Sequence, residues 1–194
     1  MASGTGQTRD AVETRQRILD AAAACFSHAI FERVTVRDIA GVAKVDAALI
    51  NRYFASKRML FAEVAEGAIQ LGEALPQTLD TLGDLLVESV MGDAGSNTGG
   101  FHPLRFLILG LASSATSASV TVQFQTEFVE ALASRLMGRD ADLRATMIAS
   151  YVIGLATMRH FVVSPVLANA TQKQLAALVG EAIQRCVRTP GEES

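Results

Sequence analysis

Two neighbouring polar side chains, Asn51 and Arg52, have the chemistry needed to recognise bases in duplex DNA. In the major groove an asparagine amide pairs well with an adenine edge, and an arginine guanidinium pairs well with guanine. Ala47 and Ala48 come just before them, and small residues there let a helix backbone approach the DNA closely. Tyr53 lies at the edge of the same face. This pattern is typical of a helix that reads base pairs.

The residues around this group predict two short helices joined by a tight turn. Thr35 is placed to cap the first helix, and Asp46 the second, where its charge also suits the positive end of the helix dipole. The turn falls at residues 43–45, where a left-handed conformation costs a residue such as Lys44 about 1 kcal/mol. Apolar residues recur at helical spacing behind each cap, namely Val36, Ile39, Ala40 and Ala43, then Ile50 and Phe54. The arrangement is a helix–turn–helix, whose second helix enters the major groove.

Residues 18–60 resemble the N-terminal DNA-binding domain of the TetR/AcrR family of bacterial transcriptional regulators. The matching features, in chain order, are a first helix ending in Phe26, the segment T-V-R-D-I-A, the reading helix, and L-I-N-R-Y-F-A-S-K-R-M-L-F at 49–61. The family usually has glycine where this chain has Ile30 and Lys44, and often tyrosine where it has Asn51. Relatives with that tyrosine are therefore poor guides to this protein's operator.

The resemblance implies a homodimeric repressor that leaves a palindromic double-stranded DNA operator when a small-molecule effector binds. It also implies that Lys57, at the start of a helix, contacts a backbone phosphate, since a helix N-terminus with a lysine beside it suits phosphate. Arg9, Arg15 and Arg17 form either a phosphate-seeking arm or a solvated, basic helix start. We predict DNA contacts at eight positions: Thr35, Arg37, Ala47, Ala48, Asn51, Arg52, Tyr53 and Lys57.

The charge distribution fits a basic DNA-binding head on an acidic body. The 194-residue chain has a formal net charge of −3. Residues 9–58 hold 9 lysines and arginines against 6 acidic residues, whereas the rest of the chain holds 8 against 14. Because the excess of positive charge is small, we expect binding to need two heads and a specific site.

Other classes of function find little support. The 3 histidines are scattered, and there is no nucleophile elbow, Gly-rich phosphate loop or Cys/His cluster, so we expect no enzyme activity, no metal and no cofactor. Cys25 and Cys186 are interpreted as buried thiols. No apolar run approaches the roughly 20 residues that span a membrane, and the N-terminus lacks a signal-peptide core, which favours a cytoplasmic protein. A helical interaction module that has lost DNA binding is the remaining alternative.

The apolar periodicity and the scarcity of proline predict an all-α protein of about nine helices. An N-terminal three-helix DNA-binding domain precedes a C-terminal helical domain for ligand binding and dimerisation. We predict a disordered arm at 1–9, the helix–turn–helix domain at 10–57, the regulatory domain at 58–187 and a flexible tail at 188–194. The Gly-rich segment 92–102 is either a pocket lid or a mobile connection.

An effector pocket is predicted where polar or aromatic side chains interrupt the apolar helices of the body. Arg105 stands in an almost wholly apolar helix and needs a partner, which could be Glu127, Glu130 or a ligand carboxylate. An apolar ligand with one anionic or hydrogen-bonding group would suit such a pocket. The predicted ligand-binding residues are Arg105, Phe106, Gln123, Glu127, Phe128 and Arg159.

The last two long helices, within residues 140–187, are predicted to form the homodimer interface. Many small residues on their apolar faces suit close packing in a two-fold four-helix bundle. The alternative is that both faces close the core of the monomer. The residues concerned are Ala145, Ile148, Ala149, Val152, Leu155 and Ala156, then Leu175, Leu178, Val179, Ala182, Ile183 and Cys186.

Overall fold

A computed structural model describes residues 4–68, 75–92 and 101–188, with side chains from Asp10 onward. Within these ranges the protein has ten helices and no strand, which confirms the all-α prediction. The helices are α1 (Gly4–Phe26), α2 (Val36–Ala43), α3 (Ala47–Phe54), α4 (Lys57–Ala68), α5 (Leu82–Met91), α6 (Pro103–Ala112), α7 (117–133), α8 (Ala141–His160), α9 (Pro165–Asn169) and α10 (172–187). A 3₁₀ turn, Phe31–Arg33, lies between α1 and α2. Two helices contain a π-helical segment, Gln125–Glu130 in α7 and Ala176–Gly180 in α10.

Helix α1 begins at Gly4, so residues 4–9 are helical where a disordered arm was expected. Extending an existing helix by one residue fixes few torsions and gains a hydrogen bond, which favours this extension. Residues 1–3 of that arm, 93–100 of the Gly-rich segment and 189–194 of the tail lie outside the described residues. The short helix α9 is the element that the predicted total of about nine did not include.

The described helices form two compact units, and the division differs from the boundary expected after residue 57. The first unit holds α1–α4, α6 and the start of α7; the second holds α5, the rest of α7 and α8–α10. Helix α6 joins the first unit through an aromatic cluster, in which Phe61 of α4 meets Phe26 edge-on at 5.0 Å and stacks on Phe106 at 5.1 Å. Both ends of α6 also bond to that unit. Near the start of α6, Arg105 Nε donates to Ser27 O (3.1 Å). Just after its end, Ser113 Oγ donates to Glu32 Oε1 (2.9 Å).

The second unit is organised around a close crossing of α5 and α10. A Cβ added to Gly83 would lie 2.2 Å from Gly180 O, so the two backbones are in direct contact there. The side chain of Gln184 bridges the crossing, accepting from Gly83 N (3.2 Å) and donating to Leu79 O (2.8 Å). Leu82, on the turn next to Gly83, is fully buried.

Helix α8 uses the predicted apolar stripe to close the core of its own unit. All six residues of that stripe are buried: Ala145, Ile148, Ala149, Val152, Leu155 and Ala156. The alternative of a monomer core is therefore correct for this face of α8. The predicted apolar face of α10 is only partly buried: Leu175 and Ile183 are buried, whereas Leu178 is 73% exposed.

A buried arginine, Arg144 of α8, hydrogen-bonds both to the C-terminal end of α10 and to the segment just before α8. Its side chain is 7% exposed and donates to five backbone carbonyls. Three of them, at residues 186–188, close the C-terminal end of α10, and the other two belong to Met137 and Arg139 before α8. The carbonyls at a helix C-terminus lack intrahelical partners and carry negative partial charge, so a guanidinium with five donors satisfies them well.

Among the residues described, no helix combines the length and the hydropathy that crossing a lipid bilayer requires.

Candidate nucleic-acid interface

The two helix caps predicted in the helix–turn–helix are both present. Thr35 Oγ1 accepts from Asp38 N (3.1 Å), and Asp38 Oδ2 accepts from Thr35 N (2.8 Å), which completes a capping box at the start of α2. The Thr35 hydroxyl also donates to Asp38 Oδ2 (2.7 Å), and this bond, together with the one from Thr35 N, lowers the pKa of Asp38. At α3, Asp46 Oδ1 accepts from Ala48 N (2.7 Å). Both helices therefore begin where the sequence indicates.

The turn between α2 and α3 has the left-handed residue that was expected. Lys44 has φ 54° and ψ 48°, and its N–H bonds to the last turn of α2. Val45 N reaches back to Ala40 O (3.1 Å), which gives a Schellman-type termination. At Ile30, by contrast, φ is −61° and ψ is 153°, an extended conformation that does not require glycine. Neither departure from the family pattern disrupts the helix–turn–helix.

Helix α3 presents a small polar face to solvent. Ile50 and Phe54 are buried against the rest of the head, by which we mean α1–α4. Ala48, Asn51 and Arg52 are exposed at i, i+3 and i+4 spacing, which places them on one face of the helix. The flanking positions Ala47 and Tyr53 are half-buried.

Lys57 has an intramolecular role that its local sequence does not indicate. Its Nζ donates to Phe31 O (2.8 Å) and Val34 O (2.7 Å), and it lies 4.0 Å from the centre of the Phe31 ring. Burial lowers the pKa of Lys57, and the nearby charge of Glu32 opposes that shift. Two of the three donors of the ammonium are thus used within the head. The sequence offers no signal for this, because Phe31 and Lys57 are 26 residues apart.

Some of the other basic side chains of the head are exposed, and others have a hydrogen-bond or ion-pair partner within the protein. Arg37 is exposed in the first turn of α2. Arg15 forms an ion pair with Glu63 (2.5 Å) and lies 4.9 Å from the centre of the Phe54 ring, so it links α1 to α3 and α4. Arg17 donates to Thr14 on its own helix (3.4 Å). Arg15 therefore has a structural partner where a phosphate-seeking arm was considered, and the side chain of Arg9 lies outside the described residues.

Glu32 bonds the head to the C-terminal end of α6. Its Oε1 accepts from Ser113 Oγ (2.9 Å), Ser114 Oγ (3.1 Å) and Ala115 N (3.1 Å). Its own backbone N–H and then the Ser113 hydroxyl are the main causes that lower its pKa to about 2. Arg58 of α4 donates to Ala115 O (3.2 Å) beside it. The 81 residues between Glu32 and Ser113 explain why sequence patterns did not reveal this contact.

The six predicted ligand-binding residues belong to different units. Arg105 and Phe106 lie in the first unit, where Phe106 is fully buried and the half-buried Arg105 donates to Ser27 O. The other four lie in the second unit: Gln123, Glu127, Phe128 and Arg159. Phe128 is buried in the π-helical segment of α7, and Arg159 donates to Leu167 O (2.7 Å).

A separate cleft in the second unit contains none of these six residues. Its volume is about 590 Å³. It is lined by Gln77, Leu79, Asp80, Arg135, Leu136, Met137, Gln184, Val187 and Arg188. The Arg135 guanidinium donates to the carbonyls of Pro76 and Gln77 at this site.

Within the described ranges, no group of three or more His, Cys, Asp or Glu side chains has a geometry that could hold a metal ion. Both cysteines are free thiols, and they are half-buried where buried thiols were predicted. Burial raises the pKa of each thiol, and at Cys186 the charge of Arg144 opposes that shift.

Two family models match the chain and together cover most of it. The model described as "Bacterial regulatory proteins, tetR family" matches residues 18–64. The model described as "Tetracyclin repressor-like, C-terminal domain" matches residues 80–187. The second match alone spans more than half of the protein. No curated protein matches the chain.

Solved structures of similar fold cover almost the whole chain. A TetR-family regulator from Streptomyces coelicolor A3 is 27% identical over 91% of this chain and 95% of its own, with a TM-score of 0.52. NalD, the secondary repressor of the MexAB-OprM multidrug efflux pump in Pseudomonas aeruginosa, is 19% identical over 92% and 97%, with a TM-score of 0.64. SmeT in complex with triclosan is 20% identical over 92% and 93%, also with a TM-score of 0.64.

The structure of the head is consistent with the family matches. A capped helix–turn–helix exposes Asn51 and Arg52 on its second helix, inside the segment that matches the family's N-terminal model. The helices that follow match the family's C-terminal model. The chain therefore belongs to the TetR family of bacterial regulatory proteins, which are DNA-binding transcriptional regulators.

Proposed function

We propose that the protein is a homodimeric repressor that binds a palindromic operator through α3 of each protomer and is released by a small molecule. The observation that carries the proposal is the exposed face of α3, where Asn51 and Arg52 lie beside the small Ala48. In a helix–turn–helix that face enters the major groove. Because an amide prefers adenine and a guanidinium prefers guanine, these two side chains are the proposed base readers.

Contacts to the DNA backbone come from the residues around this face. Arg37 is exposed in the first turn of α2 and bears a guanidinium that suits phosphate. Thr35 contributes mainly by fixing the start of α2, because its hydroxyl takes part in the capping box. Lys57 contributes through its position at the N-terminus of α4, where backbone N–H groups favour an anion, and through the remaining donor of its ammonium.

Dimerisation is supported by an uncharged, exposed face on α8. The sequence from residue 145 to residue 158 contains no charged side chain. On the side opposite the buried stripe, Leu143, Met147 and Met158 are 63%, 41% and 43% exposed, and Ser150 and Gly154 lie exposed between them. An uncharged, largely apolar helix face in water is typical of an interaction surface. A second copy of this helix covers it in the proposed dimer, which brings two reading helices to half-sites about 34 Å apart.

The effector acts through the helical body. A ligand releases DNA only if it binds the conformation that does not fit the operator more tightly, and DNA then weakens ligand binding by the same factor. Gln123, Glu127, Phe128 and Arg159 remain the candidates in the second unit, with Arg105 and Phe106 in the first. The proposed ligand has an apolar body and one anionic or hydrogen-bonding group. SmeT, a protein of similar fold, has been solved in complex with triclosan.

Operator binding is tested by selecting bound duplexes from random DNA, with a footprint of the DNA beside the coding region in parallel. An inverted repeat with half-sites one helical turn or more apart is expected from both. Asn51→Ala and Arg52→Ala should each cost about 1–3 kcal/mol on the best duplex and relax the preference at one or two base pairs. Lys173→Ala, which removes an exposed charge from α10, is the matched control.

Two outcomes would contradict this part of the proposal. If selection and footprint both return no repeat, the protein is not an operator-binding repressor. If Asn51→Ala and Arg52→Ala lose equal affinity for the best duplex and for a scrambled duplex, they are not the base readers.

The dimer is tested by placing a charge on the uncharged face of α8. Met147→Glu should convert a dimer into a monomer in sedimentation velocity, because a carboxylate buried in an apolar interface is strongly unfavourable. Met59→Glu, at an exposed methionine of the head, is the matched control and should remain dimeric. A Met147→Glu protein that sediments as a folded dimer would place the interface elsewhere.

A further inference from the structure

Lys44 occupies a backbone conformation that is unfavourable for it. It has φ 54° and ψ 48° at the junction of α2 and α3. Side chains with a Cβ seldom adopt this region, and glycine adopts it without strain. The hydrogen bonds of the turn use only backbone atoms, from Lys44 N to Gly41 O (3.4 Å) and from Val45 N to Ala40 O (3.1 Å). The turn itself therefore gives no reason for a lysine side chain at this position.

The Lys44 ammonium also has no structural partner in the part of the protein that is described. The side chain of Lys44 is exposed, and its ammonium takes part in no hydrogen bond, ion pair or ring contact among the described residues. The two nearest carboxylates along the chain bond elsewhere, Asp46 to Ala48 N and Asp38 to Thr35. The other lysine of the head, Lys57, differs in this respect, because its ammonium is held by two carbonyls.

The position of Lys44 suits a contact with the DNA backbone. In a helix–turn–helix the first helix crosses the sugar–phosphate backbone, and the N-terminal residues of the second contact base edges. Lys44 lies between the two, four residues before the exposed Ala48. A lysine ammonium is a compact charge on a flexible stem, which fits a phosphate at the edge of the groove better than the fixed geometry of a base pair.

We propose that Lys44 binds a backbone phosphate at the edge of the major groove in each half-site. The proposal rests on the DNA-binding function proposed above and adds to it a residue that positions α3. The contact provides a reason for a strained lysine at a position that glycine would occupy without strain. One alternative is favourable interaction with the negative end of the α2 dipole, which would act on stability and not on DNA binding.

The test compares Lys44→Ala, Lys44→Gly and the control Lys173→Ala with the natural protein. Fluorescence anisotropy measures binding to a duplex of arbitrary sequence and to the best selected duplex, at salt concentrations from about 50 to 200 mM. Each variant at position 44 should reduce the slope of log affinity against log salt by about 0.9 for each bound protomer on both duplexes. Lys44→Gly should melt at or above the temperature of the natural protein while binding DNA as weakly as Lys44→Ala.

Each other outcome overturns the phosphate contact. Slopes that match Lys173→Ala would show that Lys44 does not contact DNA. A loss confined to the selected duplex would indicate base recognition. Weak binding by Lys44→Ala with normal binding by Lys44→Gly would indicate an effect on the conformation of the turn.

The same data separate this inference from the proposed function. If the natural protein selects no sequence but binds the arbitrary duplex with a slope that depends on Lys44, the operator proposal fails and the phosphate contact stands. If it binds neither duplex, both fail.

Discussion

Replacing Gly83 with alanine should force α5 away from α10. The new Cβ would lie 2.2 Å from Gly180 O, 2.8 Å from Gly180 C and 3.0 Å from Gly180 Cα. All three are backbone atoms, so no change of rotamer relieves the overlap. The helices must separate by about 1 Å to restore ordinary contact, and interiors packed at crystal-like density resist such movement. The two hydrogen bonds of Gln184 across the crossing would lengthen as a result.

The expected loss of stability is the sum of three contributions, namely overpacking, lost hydrogen bonds and helix propensity. Overpacking of a close-packed site costs about 1–3 kcal/mol. Loss of the Gln184 bonds adds roughly 1 kcal/mol each, and the better helix propensity of alanine offsets about 0.5–1 kcal/mol. We therefore expect Gly83→Ala to lower the free energy of unfolding by about 2–4.5 kcal/mol, which at about 2–4 °C per kcal/mol corresponds to a fall in Tm of roughly 4–18 °C for a chain of this length.

Thermal melts followed by far-ultraviolet circular dichroism at one protein concentration provide the assay. Two further variants show whether the loss arises from the crossing. Gly180→Ala places its Cβ 3.3 Å from Asp84 Oδ1, a side-chain atom that can rotate away, so its cost should be smaller. Gly41→Ala meets nothing within 4 Å in the middle of α2 and should be neutral or stabilising. A Gly83→Ala protein that melts at or above the temperature of the natural protein, or a Gly180→Ala protein that loses as much stability, would refute a steric clash at the crossing.

Three more predictions concern charged side chains. The pKa of Glu32 is lowered to about 2 in the folded head, so the stability that its carboxylate contributes is present above the ordinary pKa near 4.5 and is lost as pH falls toward 2. In thermal melts, the Tm of Glu32→Gln should therefore fall less between about pH 5 and pH 3 than the Tm of the natural protein. Arg144→Met leaves five carbonyls without their donor and should cost about 2–4 kcal/mol in urea unfolding, and Arg144→Lys, with fewer donors, should recover only part of it. Lys57→Met should lower both the Tm and the affinity for DNA of any sequence, because it removes two bonds within the head as well as a charge; a loss of affinity with unchanged Tm would contradict the structural role.

Local sequence determined the helix–turn–helix. Its caps join residues two or three positions apart, Thr35 with Asp38 and Asp46 with Ala48, so side-chain chemistry and spacing alone indicate where α2 and α3 begin. The buried and exposed faces of α3 follow from the same periodicity, because helix geometry places Ile50 and Phe54 opposite Asn51 and Arg52. The reading face was therefore predictable before any tertiary contact was known.

Tertiary structure alone decided which apolar face of α8 packs inside its own unit. The apolar periodicity of α8 identifies the face of Ile148 and Val152, but it does not show whether that face packs inside its own unit or against a second copy. The neighbouring helices settle the choice, since they cover one face and leave the other to solvent. The six proposed ligand residues are a similar case, because nothing local assigns Arg105 to the first unit and Arg159 to the second.

The long-range polar contacts were also beyond the reach of the sequence. Glu32 meets Ser113 across 81 residues, Gly83 meets Gln184 across 101, and Arg144 collects its carbonyls from the ends of two helices. Nothing in the local sequence around these residues distinguishes them from ordinary surface residues or backbone groups. Only the packing of helices brings such groups within hydrogen-bond distance, and so only the fold reveals how Lys57 holds the head together and how Glu32 bonds the head to α6.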